Sequence, residues 1–165
     1  MLRAGLLRPG SCVIANAPSI ERRDAADADE PVIRALLEQA GLPTSDIPAS
    51  KPRFKVIVEG GRIVAVGAIE CFESTALLRS VVVAPSRRGT GLGRILVEEL
   101  EKATRAAGID RLVLLTETAR EYFAGQGFQV VERSKVPSDV QLSAEFRSLC
   151  PSSATCMEKV LMEAG

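Results

Sequence analysis

Arg87-Arg88-Gly89-Thr90-Gly91-Leu92-Gly93 is the stretch of this chain whose residue types and spacing specify chemistry most sharply. Three glycines in five positions let the backbone turn tightly with its N–H groups turned outward. The helix that follows adds its unpaired N-terminal donors and the positive end of its dipole, and together these suit a phosphate-bearing ligand. Glycines alone also fit a tight strand-to-helix turn that binds nothing. A Walker loop needs a Gly-Lys-Ser/Thr ending, and a dinucleotide fingerprint needs another glycine spacing and a later acidic residue; neither occurs.

Three more side chains stand out. Glu70 closes an apolar run, so it is either solvated or held near a cleft as a base with a raised pKa. Arg79 sits inside an apolar run, on the same pleat face as Leu77, Val81 and Val83 if the strand is regular. A buried arginine needs a partner: a ligand carboxylate gripped by both prongs of the guanidinium, or an internal ion pair with Glu70 or Glu73. Tyr122 is the chain's single tyrosine and by residue type alone reads as a packed aromatic.

Composition removes several classes. Lys plus Arg and Asp plus Glu are 21 each in 165 residues, so the net charge is zero and no basic footprint points to nucleic acid. There is no histidine, which excludes a histidine base or a Ser-His triad, and the four cysteines show no C-x-x-C pair, which argues against zinc. A reducing, cytoplasmic setting is expected, without a metal. No apolar stretch approaches the ~20 residues of a membrane span. Cys150 and Cys156 are soft ligands by type, but buried cysteine is more often a small hydrophobe.

The elements that must carry these residues follow from periodicity and breakers. Residues 1–18 read as a frayed extension or the product of an upstream start codon, with no convincing secretion signal, and 19–165 as one domain. Ser19 to Arg23 is a weak first strand. Asp27 or Asp29 caps a helix with Pro31 in its first turn, a stripe of Val32, Ile33, Leu36, Leu37 and Ala40, and a stop at Gly41. Leu42 to Pro52 is a loop with at most one helical turn near Thr44 to Ile47. Phe54 to Val58 and Arg62 to Cys71 form a hairpin through Gly60-Gly61, the second strand covered on both faces. Leu77 to Val83 is a buried strand; Leu92 to Ala107 is an amphipathic helix. Arg111 to Leu115 is a further strand. Thr116-Glu117-Thr118 then caps a helix over Ala119 to Ala124, and Gln129 to Arg133 and Cys156 to Leu161 complete the strands.

Arg88-x-x-Gly91-x-Gly93 directly after LLRSVVVAP resembles the acetyl-CoA pyrophosphate loop of the GNAT acyltransferases, and the likeness extends from Ser19 to Leu161. It implies a mixed, mostly antiparallel α/β (α+β) sheet of six to seven strands, splayed at the central strand and flanked by about four helices. It implies acetyl-CoA as co-substrate, held by Arg88, Gly89, Thr90, Gly91, Gly93 and Arg94. The backbone of Val81, Val82 and Val83 would meet the pantetheine arm and thioester, and Phe123 would lie beside it. Dimers are common in that family.

Two departures bear on mechanism. The family commonly places a tyrosine four residues before the glycine of a Gly-Phe pair, to protonate the thiolate; here that position is Phe123, and Tyr122 is one helical step of ~100° away. The usual carboxylate on the central strand is replaced by Leu77. Catalysis is then expected to rest on placing the amine, on backbone donors near Val81 to Val83, and on a water-relayed base, with Glu70 and Tyr122 as the candidate catalytic residues.

The strand LLRSVVVAP, LLTETAREYFAGQGF and AEFRSLCPSSATCMEKVL together resemble the arsenic-resistance N-acetyltransferases and, more distantly, short N-acetylglutamate synthases. The second segment carries Thr116 and the third closes an insertion, Ser134 to Thr155. Both comparisons imply a small amino-acid-like acceptor with an amine and a carboxylate, for which Arg79 and Thr116 are the candidate ligands. A CoA-binding sensor without activity is the alternative of a different class.

Overall fold

A computed structural model describes residues 19–161, and the 1–18 extension lies outside them. Seven strands form one sheet in the order β1-β2-β3-β4-β5-β7-β6. They are β1 (Ile20–Asp24), β2 (Arg53–Glu59), β3 (Arg62–Cys71), β4 (Ala76–Val83), β5 (Arg111–Thr116), β6 (Gln129–Val130) and β7 (Thr155–Val160). All neighbours are antiparallel except β4 and β5. The helices are α1 (Glu30–Gln39), α2 (Ile47–Ser50), α3 (Leu92–Ala106), α4 (Arg120–Gly125) and α5 (Ser138–Gln141), followed by a π-type turn, Glu145–Leu149.

The amphipathic stripe of α3 buries Leu92, Leu96, Val97 and Leu100 on one face of the sheet. The other face is covered in two parts. Ile33 and Leu37 of α1 pack on Val56, Val58, Val66 and Val82, and the insertion packs Val136, Val140 and Phe146 on Leu77, Val113 and Cys156. Val32, expected in the α1 stripe, is instead 47% exposed, so that stripe is narrower than the periodicity implies. At Gly67, added side-chain volume has nowhere to go: a Cβ there would lie 2.7 Å from Leu100 Cδ1 and 3.2 Å from Leu96 Cδ2. Helix α3 rests directly on the β3 backbone.

Two irregularities shape the middle of the sheet. Strands β4 and β5 share only the register pairs Ala76–Leu112 and Leu77–Val113, after which they part into a V. In β4 the register with β3 jumps from Arg79–Ala68 to Val82–Val66, so Ser80 and Val81 together face the single Gly67. This is a β-bulge, with Ser80 at φ 58°. An extra residue reverses every side chain beyond it. Ala76 and Leu78 before the bulge and Val81 and Val83 after it face α3, whereas Leu77, Arg79 and Val82 face away. The expectation that Arg79 shares a pleat face with Val81 and Val83 is therefore corrected: periodicity cannot register a bulge.

Other boundaries also shift. The one helical turn in the 42–52 loop lies at Ile47–Ser50 rather than Thr44 to Ile47, and the strand expected over Gln129 to Arg133 stops at Val130. Residues Arg133–Lys135 turn into a short 3-10 segment that leads into the insertion.

Candidate active site

The V between β4 and β5 opens onto a cleft of about 370 Å³ whose wall includes Val81, Val83, Arg88, Gly93, Tyr122 and Phe123. The Gly-rich loop reaches it by two left-handed residues, Gly89 at φ 76° and Gly91 at φ 87°, conformations an L side chain resists. Gly91 is the N-cap of the 15-residue helix α3, and it supplies no side-chain cap. The first-turn N–H groups of Leu92, Gly93 and Arg94 thus lack intrahelical partners, and no acidic side chain stands in that turn to compete for them. The dipole favours an anion at this end. Arg88 stays at the surface with Nε donating to the Val83 carbonyl at 3.2 Å, and Arg94 is exposed beside Glu98. Arg87 is committed to Glu59 at 2.7 Å. The Thr90 hydroxyl donates to the Arg87 carbonyl and rigidifies the turn.

Not every expected cofactor contact points into the cleft. Val82, beyond the bulge, packs its side chain on α1, which leaves only its backbone for a ligand. Phe123 is buried, edge-on to Phe128, and does form part of the cleft wall. Thr116 accepts the Ala119 N–H at 2.9 Å, so its hydroxyl closes the turn that leads into α4, whose N-cap is Ala119 without a side-chain cap, in place of the cap expected from Thr-Glu-Thr. Tyr122 projects from α4 into the cleft, 44% exposed, with its hydroxyl against Gly93, where a Cβ would collide with it. Burial raises the phenol's pKa, and a hydrogen bond with Gln126 partly offsets this. The tyrosine and the helix N-terminus are thus neighbours.

On the opposite face of β4 lies a cluster of charges. The Arg79 side chain is fully buried. Its NH1 and NH2 donate to the two oxygens of Asp46 at 2.5 and 2.8 Å, NH1 also donates to Glu70 at 3.2 Å, and Nε donates to Ser80 Oγ at 3.3 Å. Glu145 Oε1 stands 3.8 Å from Nε. Burial lowers the arginine's pKa, but Asp46, Glu145 and Glu70 outweigh it and hold the charge. Of the two internal partners expected for Arg79, Glu70 is present; Glu73 instead accepts nothing from it and offers its backbone N–H to Asp139.

The three carboxylates are not equivalent. The Arg79 guanidinium holds Asp46 below its ordinary range, helped by Ser50. Burial pushes Glu70 up, against the pull of Arg79. Burial pushes Glu145 up to about 7, again against Arg79, with Asp46 and Glu70 adding repulsion. Asp46 and Glu145 were not among the sequence candidates. Asp46 lies in a Pro- and Ser-rich loop and Glu145 in an insertion without periodicity, so neither segment's pattern carries a sign of burial. The one usable signal is that a buried Arg79 requires a carboxylate from somewhere. Cys150 and Cys156 are both pushed up to about 11 by burial, so both are thiols near neutrality. Among the described residues no group of three or more His, Cys, Asp or Glu side chains is arranged to hold a metal ion, the three carboxylates here being gathered around Arg79.

Residues 50–130 match the family described as acetyltransferase (GNAT) domain. Residues 50–130 carry a GNAT acetyltransferase domain. Its sequence is 30% identical over 124 residues to the amino-acid acetyltransferase of Pasteurella multocida, covering 70% of this chain and 28% of that protein. A second relative, the amino-acid acetyltransferase of Mycobacterium tuberculosis, is 34% identical over 82 residues, 48% of this chain and 46% of that one. The matched stretches thus cover less than half the length of either relative. Among solved structures, N-acetylglutamate synthase from Neisseria gonorrhoeae, complexed with coenzyme A and N-acetyl-glutamate, superposes with a TM-score of 0.75 at 22% identity, covering 87% of this chain and 35% of that one. A Mycobacterium tuberculosis protein solved with CoA and NLQ superposes at 0.73 and 24% identity, covering 86% and 99%. The splayed seven-stranded sheet is the GNAT fold.

Proposed function

We propose that this GNAT domain transfers the acetyl group of acetyl-CoA to the amine of a small acceptor that also bears a carboxylate. The observation that carries the reading is the uncapped N-terminus of α3 behind the Gly89–Gly91 turn, opening on the V beside the β4 bulge. Acetyl-CoA supplies the activated thioester. The first-turn N–H groups of α3, with Arg88 and Arg94, bind its pyrophosphate. The backbone around Ser80 and Val81, freed from the ladder by the bulge, faces the acyl carbonyl and stabilises negative charge there. Tyr122, from the adjacent helix, donates a proton to the departing thiolate. Glu70 takes up the amine's proton through water, its raised pKa suiting that exchange.

Arg79 is the proposed ligand of the acceptor's carboxylate. Its place two residues past the last β4–β5 pair, on the face opposite α3, supports this role. Relatives named amino-acid acetyltransferase, and a fold neighbour solved with N-acetyl-glutamate, make L-glutamate the first acceptor to test. The three segments that resemble arsenic-resistance acetyltransferases make an amine-bearing arsenical amino-acid analogue the second.

Arg79→Met, together with Arg79→Lys, which keeps the buried charge but not the fork, tests the acceptor half. Both should raise the acceptor's KM about tenfold or more, the scale of a lost charge-assisted hydrogen bond, and leave that of acetyl-CoA nearly unchanged. Equal effects on both substrates would remove Arg79 from acceptor binding.

A further inference from the structure

Arg79 presents its fork to one place, and Asp46 already fills it. The pairing is bidentate, at 2.5 and 2.8 Å, the geometry in which an arginine takes a free carboxylate. We propose that Asp46 is a specificity-determining residue, an internal stand-in whose carboxylate the acceptor's carboxylate must displace from Arg79. The inference rests on the reading of Arg79 given above.

Three observations support exchange over a fixed brace. Charge favours it: with Asp46, Glu70 and Glu145 around one guanidinium, carboxylates are in surplus. Swapping one carboxylate for another leaves the buried charge unchanged, and Glu70 stays on NH1 throughout. The attachment of Asp46 is also local. It precedes the four-residue helix α2, which ends at Lys51 with φ 48°, a backbone conformation uncommon outside glycine. Its loop is otherwise held by Leu42 and Ile47, which are only partly buried against the α1 cluster, by the Leu42 N–H on the Leu37 carbonyl, and by two long hydrogen bonds, Arg34 to the Thr44 carbonyl and Thr44 to Glu38, each 3.4 Å. Finally, there is room. Ile47, Pro48 and Lys51 of this segment line a separate groove of about 670 Å³, bordered also by Arg34 and Phe54, so the segment stands between an open groove and Arg79. Ser50 Oγ donates to Asp46 Oδ2 at 2.7 Å and steadies the carboxylate in the fork.

The test is steady-state acetylation of L-glutamate and of its diamide by the full chain, with Asp46→Asn and Ser50→Ala beside the wild type and thermal unfolding recorded for each. The wild type should prefer glutamate. Asp46→Asn should lower the glutamate KM about tenfold, as a competing charged contact is weakened, without improving the diamide. Ser50→Ala, which keeps the charge and frees the carboxylate, should shift KM the same way by less. Should Asp46→Asn unfold, Ser50→Ala decides by the same comparison. An unchanged or raised glutamate KM in folded variants overturns the stand-in role while leaving Arg79 as an acceptor ligand. A wild type that acetylates amines with no preference for the carboxylate overturns both.

Discussion

Glu145 lies 3.8 Å from Arg79 through Oε1, yet the hydrogen bonds of that guanidinium go to Asp46, Glu70 and Ser80. The insertion therefore brings to the hub a carboxylate that is buried and poorly compensated. Its pKa, ordinarily 4.5, is pushed up to about 7 by burial. The native state keeps a proton that the unfolded chain has lost, so the favourable contribution is complete below 4.5 and disappears as pH rises towards 7. The wild-type unfolding temperature should fall across that window. Glu145→Gln, neutral at every pH, should flatten the slope; an unchanged slope in a folded variant would take the titration away from Glu145.

Tyr122 occupies the cleft although the family's tyrosine position is Phe123. Because its hydroxyl borders Gly93 at the head of α3, Tyr122→Phe should lower kcat about 100-fold, the scale of a lost general acid, with little change in the KM for acetyl-CoA. Stopped-flow detection of thiol release at saturating acceptor reads this directly. A kcat equal to that of the wild type would return the role to solvent.

Gly67 is the floor on which α3 rests. Gly67→Ala drives a methyl group into Leu100 and Leu96 and should cost about 1–3 kcal/mol, measured by urea denaturation. Its register partner region, the Ser80–Val81 bulge, would be displaced as well, so kcat should fall even where the protein remains folded. Unchanged stability would mean that α3 moves away at no cost.

Burial pushes the Cys150 and Cys156 thiols up to about 11, which leaves little thiolate at neutral pH. Thiol titration with and without a trivalent arsenical should give the same rates at both positions. Protection of both cysteines together would establish chelation instead.

The cofactor half of the site was legible because its signal is local. Glycines at fixed offsets between a valine-rich strand and an amphipathic helix force a turn, and Gly89 and Gly91 have the positive φ values that the pattern implies. Strand and helix identities along Phe54 to Ala106 were legible for the same reason. The charged cluster proposed for the acceptor depends on contacts across 33 residues from Asp46 to Arg79, and on Glu145 from an irregular insertion. A bulge that adds one residue at Ser80 turns Arg79 and Val83 to opposite faces, and alternation in the sequence, valine on both sides of the bulge, cannot mark where it lies. Val82 is expected to meet the cofactor through its backbone, and its side chain lies in the α1 core.

Acetyl transfer itself is tested most directly by following free CoA thiol from acetyl-CoA with L-glutamate, an amine-bearing arsenical amino acid and a panel of simple amines. Acceptor-dependent release, with the mass of the product raised by one acetyl group, is the predicted result, and it should be greatest for acceptors that carry a carboxylate. Tight binding of acetyl-CoA with no acceptor accelerating release would contradict it, and would make this GNAT domain a CoA-binding sensor.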